Sequence, residues 1–162
     1  MEPLHHKNLR LLLSELELLL YHDMVRLKDY PVSEKILESL IFHFETFDDH
    51  QEFQYVMNQC SVLNLEHVCD TLNYSKRVLQ YLAIETNNVK INSRHLIYEV
   101  SKDLPFLAQL QLMQPIHIPI SISWVWLMLF LYGWDFWKKD ESFMHENTIA
   151  RLNSLLQDLF IF

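Results

Sequence analysis

The residues whose chemistry must be weighed first are nine histidines, twenty-one carboxylates and two cysteines in a chain of 162 residues. The densest grouping is His43, Glu45, Asp48, Asp49 and His50. Imidazoles and carboxylates are the donor types that hold a divalent cation. The spacing argues against a built site. His43 and His50 fall in different expected helices, and no two histidines stand at i, i+4, the separation that places both on one helical face. The cluster therefore reads as a solvated helix junction, with Asp48 and Asp49 as N-caps and Gln51 and Glu52 completing a capping box. Neither a metal nor another cofactor is expected.

Nucleophilic chemistry finds no better footing. Cys69 and His67 are two residues apart and cannot face each other on a helix. Arg94-His95, with Tyr98 and Glu99, can be drawn as an acid–base group, but a polar helix face accounts for it equally well. The Arg-x4–6-His spacing of helical ribonucleases is missing after Arg26, Arg77, Arg94 and Arg151. A single glycine, Gly133, excludes the Walker loop, the dinucleotide fingerprint, the kinase loop and the Gly-flanked serine elbow together. No catalytic residue is nominated, and the chain is expected not to be an enzyme; a helical enzyme with no identifiable catalytic motif is the last-ranked alternative.

Charge placement is more informative. The net charge is −8, which disfavours a nucleic-acid partner. Between Asp29 and Ser75 there are nine acids and one base, Lys35, so this third of the chain carries the whole imbalance. It reads either as a solvated face or as a landing site for a basic partner, with Asp48, Asp49 and Glu52 at its centre.

The elements that must carry these residues are helices. Half of the residues are hydrophobic, and the shortage of glycine disfavours tight hairpins. Leu9, Leu13, Leu16, Leu20, Met24 and Leu27 recur by threes and fours within a helix expected over 4–28, which Tyr30-Pro31 ends. Leu11, Leu12, Leu18, Leu19 and Val25 widen its apolar arc and predict burial on more than one side. Ser33 is expected to cap a second helix reaching about Phe47. Asn64 and Ser75 are expected to cap two short helices, and Ser93 and Asp103 two more. The stretch from Leu104 to Trp134 has no Asp, Glu, Lys or Arg. Its alternating part, 116–122, reads as an extended connector. Ser121 or Ser123 then caps a hydrophobic helix near 123–137, and an amphipathic helix from about Glu141 to Phe160 closes the chain.

The expected fold is all-α: a compact single domain over 1–162 with about seven to nine helices, as an orthogonal bundle or a short stack of helix pairs. The run from Ile116 to Trp134 has nearly the length of a bilayer span, but Pro119, His117 and two serines interrupt it, so a membrane segment is not expected. Two cysteines make no disulfide framework, and both are expected as buried thiols in a reducing, intracellular compartment.

A hydrophobic central helix wrapped by amphipathic ones is similar in layout to Bcl-2-like proteins. That resemblance implies a regulator gripping a partner helix in a groove. The Asn-Trp-Gly order of those proteins is absent here, where Gly133-Trp134 reverses it. The leading expectation is a non-enzymatic protein–protein interaction module or complex subunit. It would bind through the acidic face and an aromatic surface at 124–137, with Trp134 and Trp137 exposed for contact beside Asp135 and Lys138.

Overall fold

The computed structural model describes residues 8–60, 65–85, 89–103 and 121–160. Within them the chain forms seven α-helices: α1 (Leu9–Val25), α2 (Val32–Asp49), α3 (Gln54–Cys60), α4 (Leu65–Tyr81), α5 (Arg94–Asp103), α6 (Ile122–Lys139) and α7 (Glu146–Leu159). Short 3-10 turns, Gln51–Phe53 and Phe143–His145, precede α3 and α7. No strand occurs among the described residues. The all-α expectation holds, while the connector at 116–120 and the helix expected after Asp103 lie outside the described residues.

The organising element is α6. Thirteen of its eighteen residues are buried, on every side of the helix, and such a helix must be enclosed by others. It packs against α2, α3, α4, α5 and α7, while α1 lies on α2, α3 and α4. A linear stack would restrict each helix pair to its neighbours; one helix touching five others is a bundle around a centre. Ser121 starts α6 as expected, its Oγ accepting a hydrogen bond from Trp124 N. At Gly133 the helix approaches α2 and α7 tightly. A Cβ there would stand 2.7 Å from Phe44 and 3.2 Å from Leu152.

The leucine stripe of α1 is buried as its spacing requires, from Leu9 through Met24. Asn8 caps this helix, its Oδ1 accepting from Leu11 N at 2.8 Å. Of the residues expected to widen this arc, Leu12 joins the buried stripe and Val25 is half-buried, but Leu11, Leu18 and Leu19 are exposed, so the helix is buried on one side. The covering helices all approach the opposite face.

Two boundaries differ from expectation. α2 begins at Val32 after Pro31, with no side-chain cap from Ser33; the fixed φ of proline suits a helix entrance. The two short helices expected around Asn64 and Ser75 are one continuous α4. Ser75 sits inside it, fully buried, and its Oγ donates to Leu72 O and lies 3.2 Å from Ser123 O on α6. The serine thus marks a helix contact and not a helix start. α4 ends before Thr86, in a Schellman-type turn: Ile84 N donates to Leu79 O and Ala83 N to Gln80 O, with Ala83 left-handed at φ 56°.

A polar chain runs through the core. Trp126 Nε1 donates to Ser39 Oγ at 3.0 Å, and Ser39 Oγ donates to Ile36 O. His43 is fully buried beside them, with Nδ1 at 2.6 Å from Ser39 O and Nε2 at 2.5 Å from Tyr74 OH. A carbonyl only accepts, so Nδ1 carries the proton and Nε2 accepts from the Tyr74 hydroxyl. Burial pushes the His43 pKa down to about 4, and the Ser39 hydrogen bond only partly opposes this.

The buried imidazole makes stability depend on pH. The folded state binds fewer protons at His43 than the unfolded chain between pH 6.5 and about 4. Stability therefore falls as pH drops through that window, by about 3 kcal/mol in all, because the unfolded chain gains the proton that the core refuses. Urea unfolding at pH 7 and pH 4.5 should show the loss, and His43→Asn, weaker at pH 7, should lose less on acidification. At the end of α4, Ala83→Gly should raise stability by about 0.5–1 kcal/mol, since glycine reaches positive φ without a Cβ clash. An unchanged or lower Tm would contradict it.

Candidate functional site

The acids of α2 form its outer stripe. Glu34, Glu38, Glu45, Asp48 and Asp49 follow spacings of four, seven, three and one, which keep them within about a third of the helix circumference. The opposite side carries Ile36, Leu40, Phe44 and Phe47, all fully buried. Lys35, the only base between Asp29 and Ser75, leaves this stripe. It is buried, with Nζ 3.5 Å from Ala83 O. The stripe is therefore more uniformly negative than the sequence count conveys. The carboxyl of Glu45 registers this: partial burial raises its pKa first, then the charges of Glu38, Asp49 and Asp48, while His145 opposes them.

Asp48 and Asp49 are not N-caps. They are the last two residues of α2, and the following turn is entered through His50 without a side-chain cap. Asp48 instead accepts a hydrogen bond from Trp137 Nε1 at 2.8 Å, which holds it beside α6. Asp49 is exposed and Glu52 half-buried, 4.0 Å from His50 Nδ1. The fold does not gather the histidine–carboxylate cluster: His43 points into the core, whereas Asp48, Asp49 and His50 lie outside. Among the described residues, no group of three or more His, Cys, Asp or Glu is placed to hold a metal.

Trp134 and Trp137 correct the sequence expectation directly. Neither is at an exposed contact surface; they are 8% and 3% exposed. Trp126, Phe130, Trp134 and Trp137 share the face of α6 that meets α2. Trp134 stands edge-on to Phe47, with ring centroids 5.3 Å apart, and Trp137 is tilted against Phe44 at 5.4 Å. Charged sequence neighbours misled because adjacent helical residues point about 100° apart. Asp135 pairs with Lys139 at 3.2 Å and Lys138 at 3.8 Å on the outer side of the same helix.

The exposed apolar side chains next to the acids are ones the sequence did not single out. Phe143 and Met144 are 76% and 73% exposed. The turn carrying them is locked from both ends. Asp140 Oδ1 accepts from the backbone N and hydroxyl of Ser142, at 2.9 and 2.5 Å. Its Oδ2 accepts from the backbone N and hydroxyl of Thr148, at 2.8 and 2.6 Å. These donors hold the Asp140 carboxyl well below the usual carboxylate range. Met144 and His145 both adopt positive φ, and the His145 ring lies flat on Trp137, with centroids 3.7 Å apart. Residues this far from ordinary backbone geometry persist only where their surroundings over-determine them. Met144 and His145 are displayed in one fixed arrangement, with Glu45 near His145. The readable signal was two large apolar residues in a short polar link between helices.

The second constellation, around Arg94-His95, is a staple between helices. His95 Nδ1 lies 2.7 Å from Asp158 on α7, Glu99 pairs with Arg151 at 2.7 Å, and Arg151 Nε donates to Tyr132 OH on α6. Cys69, expected buried, is an exposed free thiol. Among the described residues no helix is long and apolar enough to cross a membrane. Comparison with family models, with curated proteins and with solved structures finds no match to this chain.

Because Trp137 is core, Trp137→Ala should cost about 3–5 kcal/mol of stability, as large-to-small substitutions of buried aromatics do. Trp137→Phe should cost less, and its deficit should report the lost hydrogen bond to Asp48. Chemical denaturation of the two variants checks the order. A stable Trp137→Ala protein would return this ring to the surface.

Proposed function

We propose that the chain is a non-enzymatic protein-binding module whose contact surface is the acidic stripe of α2 together with the Phe143–Met144 turn. The observation that carries this reading is two large, exposed apolar side chains on a turn that His145 and Trp137 hold beside Asp48 and Glu45, in a row of carboxylates from which the nearby lysine has been withdrawn. Exposed aromatics and methionines supply contact area, and a one-signed rim steers a partner of the opposite sign. The partner is a protein with a basic rim around an apolar recess, and not nucleic acid. The exposed thiol of Cys69 fits a reducing, intracellular setting.

A second reading is favoured by α6 being enclosed by five helices. That layout suits a Bcl-2-like regulator, which would take an amphipathic partner helix into a groove through apolar contacts. The two readings separate on salt. Binding at the acidic stripe weakens as ionic strength rises, whereas groove capture responds little.

The test is comparative capture from native lysate followed by binding kinetics on the recovered partner. Changing Glu45 and Asp49 to Gln and Asn should slow association and flatten its salt dependence. Phe143→Ser should mainly speed dissociation, costing about 2 kcal/mol if the ring is an anchor. A partner bound equally well by all three proteins would remove this surface from the function.

A further inference from the structure

The methionines among the described residues are of two kinds. Met24, Met57 and Met128 are buried in the core, whereas Met144 is largely exposed. It stands beside the exposed Phe143 in the turn between α6 and α7. That turn is held by the bonds from Asp140 to Ser142 and Thr148 and by the His145 ring on Trp137. None of these contacts uses the Met144 thioether. The side chain is therefore an outward group on a support built without it.

A peroxide converts an accessible thioether into a polar sulfoxide. The sulfur lone pair attacks one peroxide oxygen, the O–O bond breaks, an S–O bond forms, and hydrogen peroxide leaves as water. Sulfur loses two electrons and the peroxide gains them. A dithiol reverses the change by closing to a disulfide, with the oxygen leaving as water. Met24, Met57 and Met128 are shielded, both from the oxidant and by the cost of burying a polar oxygen among apolar side chains.

We propose that Met144 is a reversible redox switch of the contact surface: peroxide turns its apolar tip polar and releases the partner, and a dithiol reductant restores it. The inference rests on the protein-binding reading of the Phe143–Met144 turn. A sulfoxide oxygen pressed into an apolar recess finds no hydrogen-bond donor, so the oxidised form binds more weakly. The Asp140 bonds and the His145–Trp137 stack stay intact, so the switch acts on binding and not on the fold.

The test starts from Cys69→Ser, which removes an exposed thiol as a competing target. Hydrogen peroxide is added in steps and the oxidised peptides are mapped by mass. Met144 should gain one oxygen at least about tenfold faster than Met24, Met57 and Met128, with an unchanged thermal melt. The binding probe is the partner recovered by capture with the untreated chain. Oxidised protein should bind it about tenfold more weakly, and methionine sulfoxide reductase with dithiothreitol should restore the affinity. Met144→Leu keeps an apolar side chain without sulfur, so its binding should be the same before and after peroxide. Three outcomes overturn the switch and leave the contact surface standing, because Glu45, Asp49 and Phe143 decide that surface. They are a Met144 no more reactive than the core methionines, an oxidised protein that binds as before, and a Met144→Leu protein that still loses binding on treatment. A lowered melt accompanying the loss of binding overturns it too, as damage to the fold. If no recovered partner depends on Glu45, Asp49 and Phe143, the surface and the switch fall together.

Discussion

The structure depends on the enclosure of α6. A helix with apolar side chains around its whole circumference has no face to turn to water, so its sequence demands partners on every side. Five helices meet that demand, and their own amphipathic stripes are oriented by it. Gly133 follows from the same constraint. Where Gly133 of α6 faces Phe44 of α2 and Leu152 of α7, the absence of a Cβ sets how tightly three helices can meet.

Enclosing so many aromatic rings also brings polar atoms inside, and these must be hydrogen-bonded there. The indole of Trp126, the hydroxyls of Ser39 and Tyr74 and the imidazole of His43 form one connected set on three helices, ending on backbone carbonyls. Its directionality fixes the register of α2 against α4 and α6 in a way that interchangeable leucines do not. Trp137 solves the same problem at the rim of the core, donating to Asp48 and lying under His145. Through that one ring, the end of α2, the last turn of α6 and the turn before α7 are held together.

The surface is what this enclosure leaves over. Each of α1 and α2 spends one face on the core and presents the other outward, and the two outward faces differ in kind. That of α2 is carboxylate, bordered by the Phe143–Met144 turn that Asp140 clamps. That of α1 is leucine. Both faces follow from where the other helices lie, one left rich in carboxylates and the other in leucine.

Much of this was legible in the sequence, and the limits have physical causes. The helical class, the buried stripe of α1, the Ser121 cap and a hydrophobic helix near 123–137 follow from local composition and 3.6-residue periodicity, properties that do not depend on what lies across the core. The acidic third was visible as a count of charges. Periodicity says which residues share a face, but it does not say which face finds a partner. The outward leucines of α1, the inward Trp134 and Trp137 and the withdrawal of Lys35 to Ala83 were therefore settled only by where the other helices lie. The two serines and two aspartates read as caps show the same limit. A short polar side chain satisfies a helix end or a neighbouring helix equally well, and packing alone decided that Ser75 bonds toward α6 and that Asp48 receives the indole of Trp137.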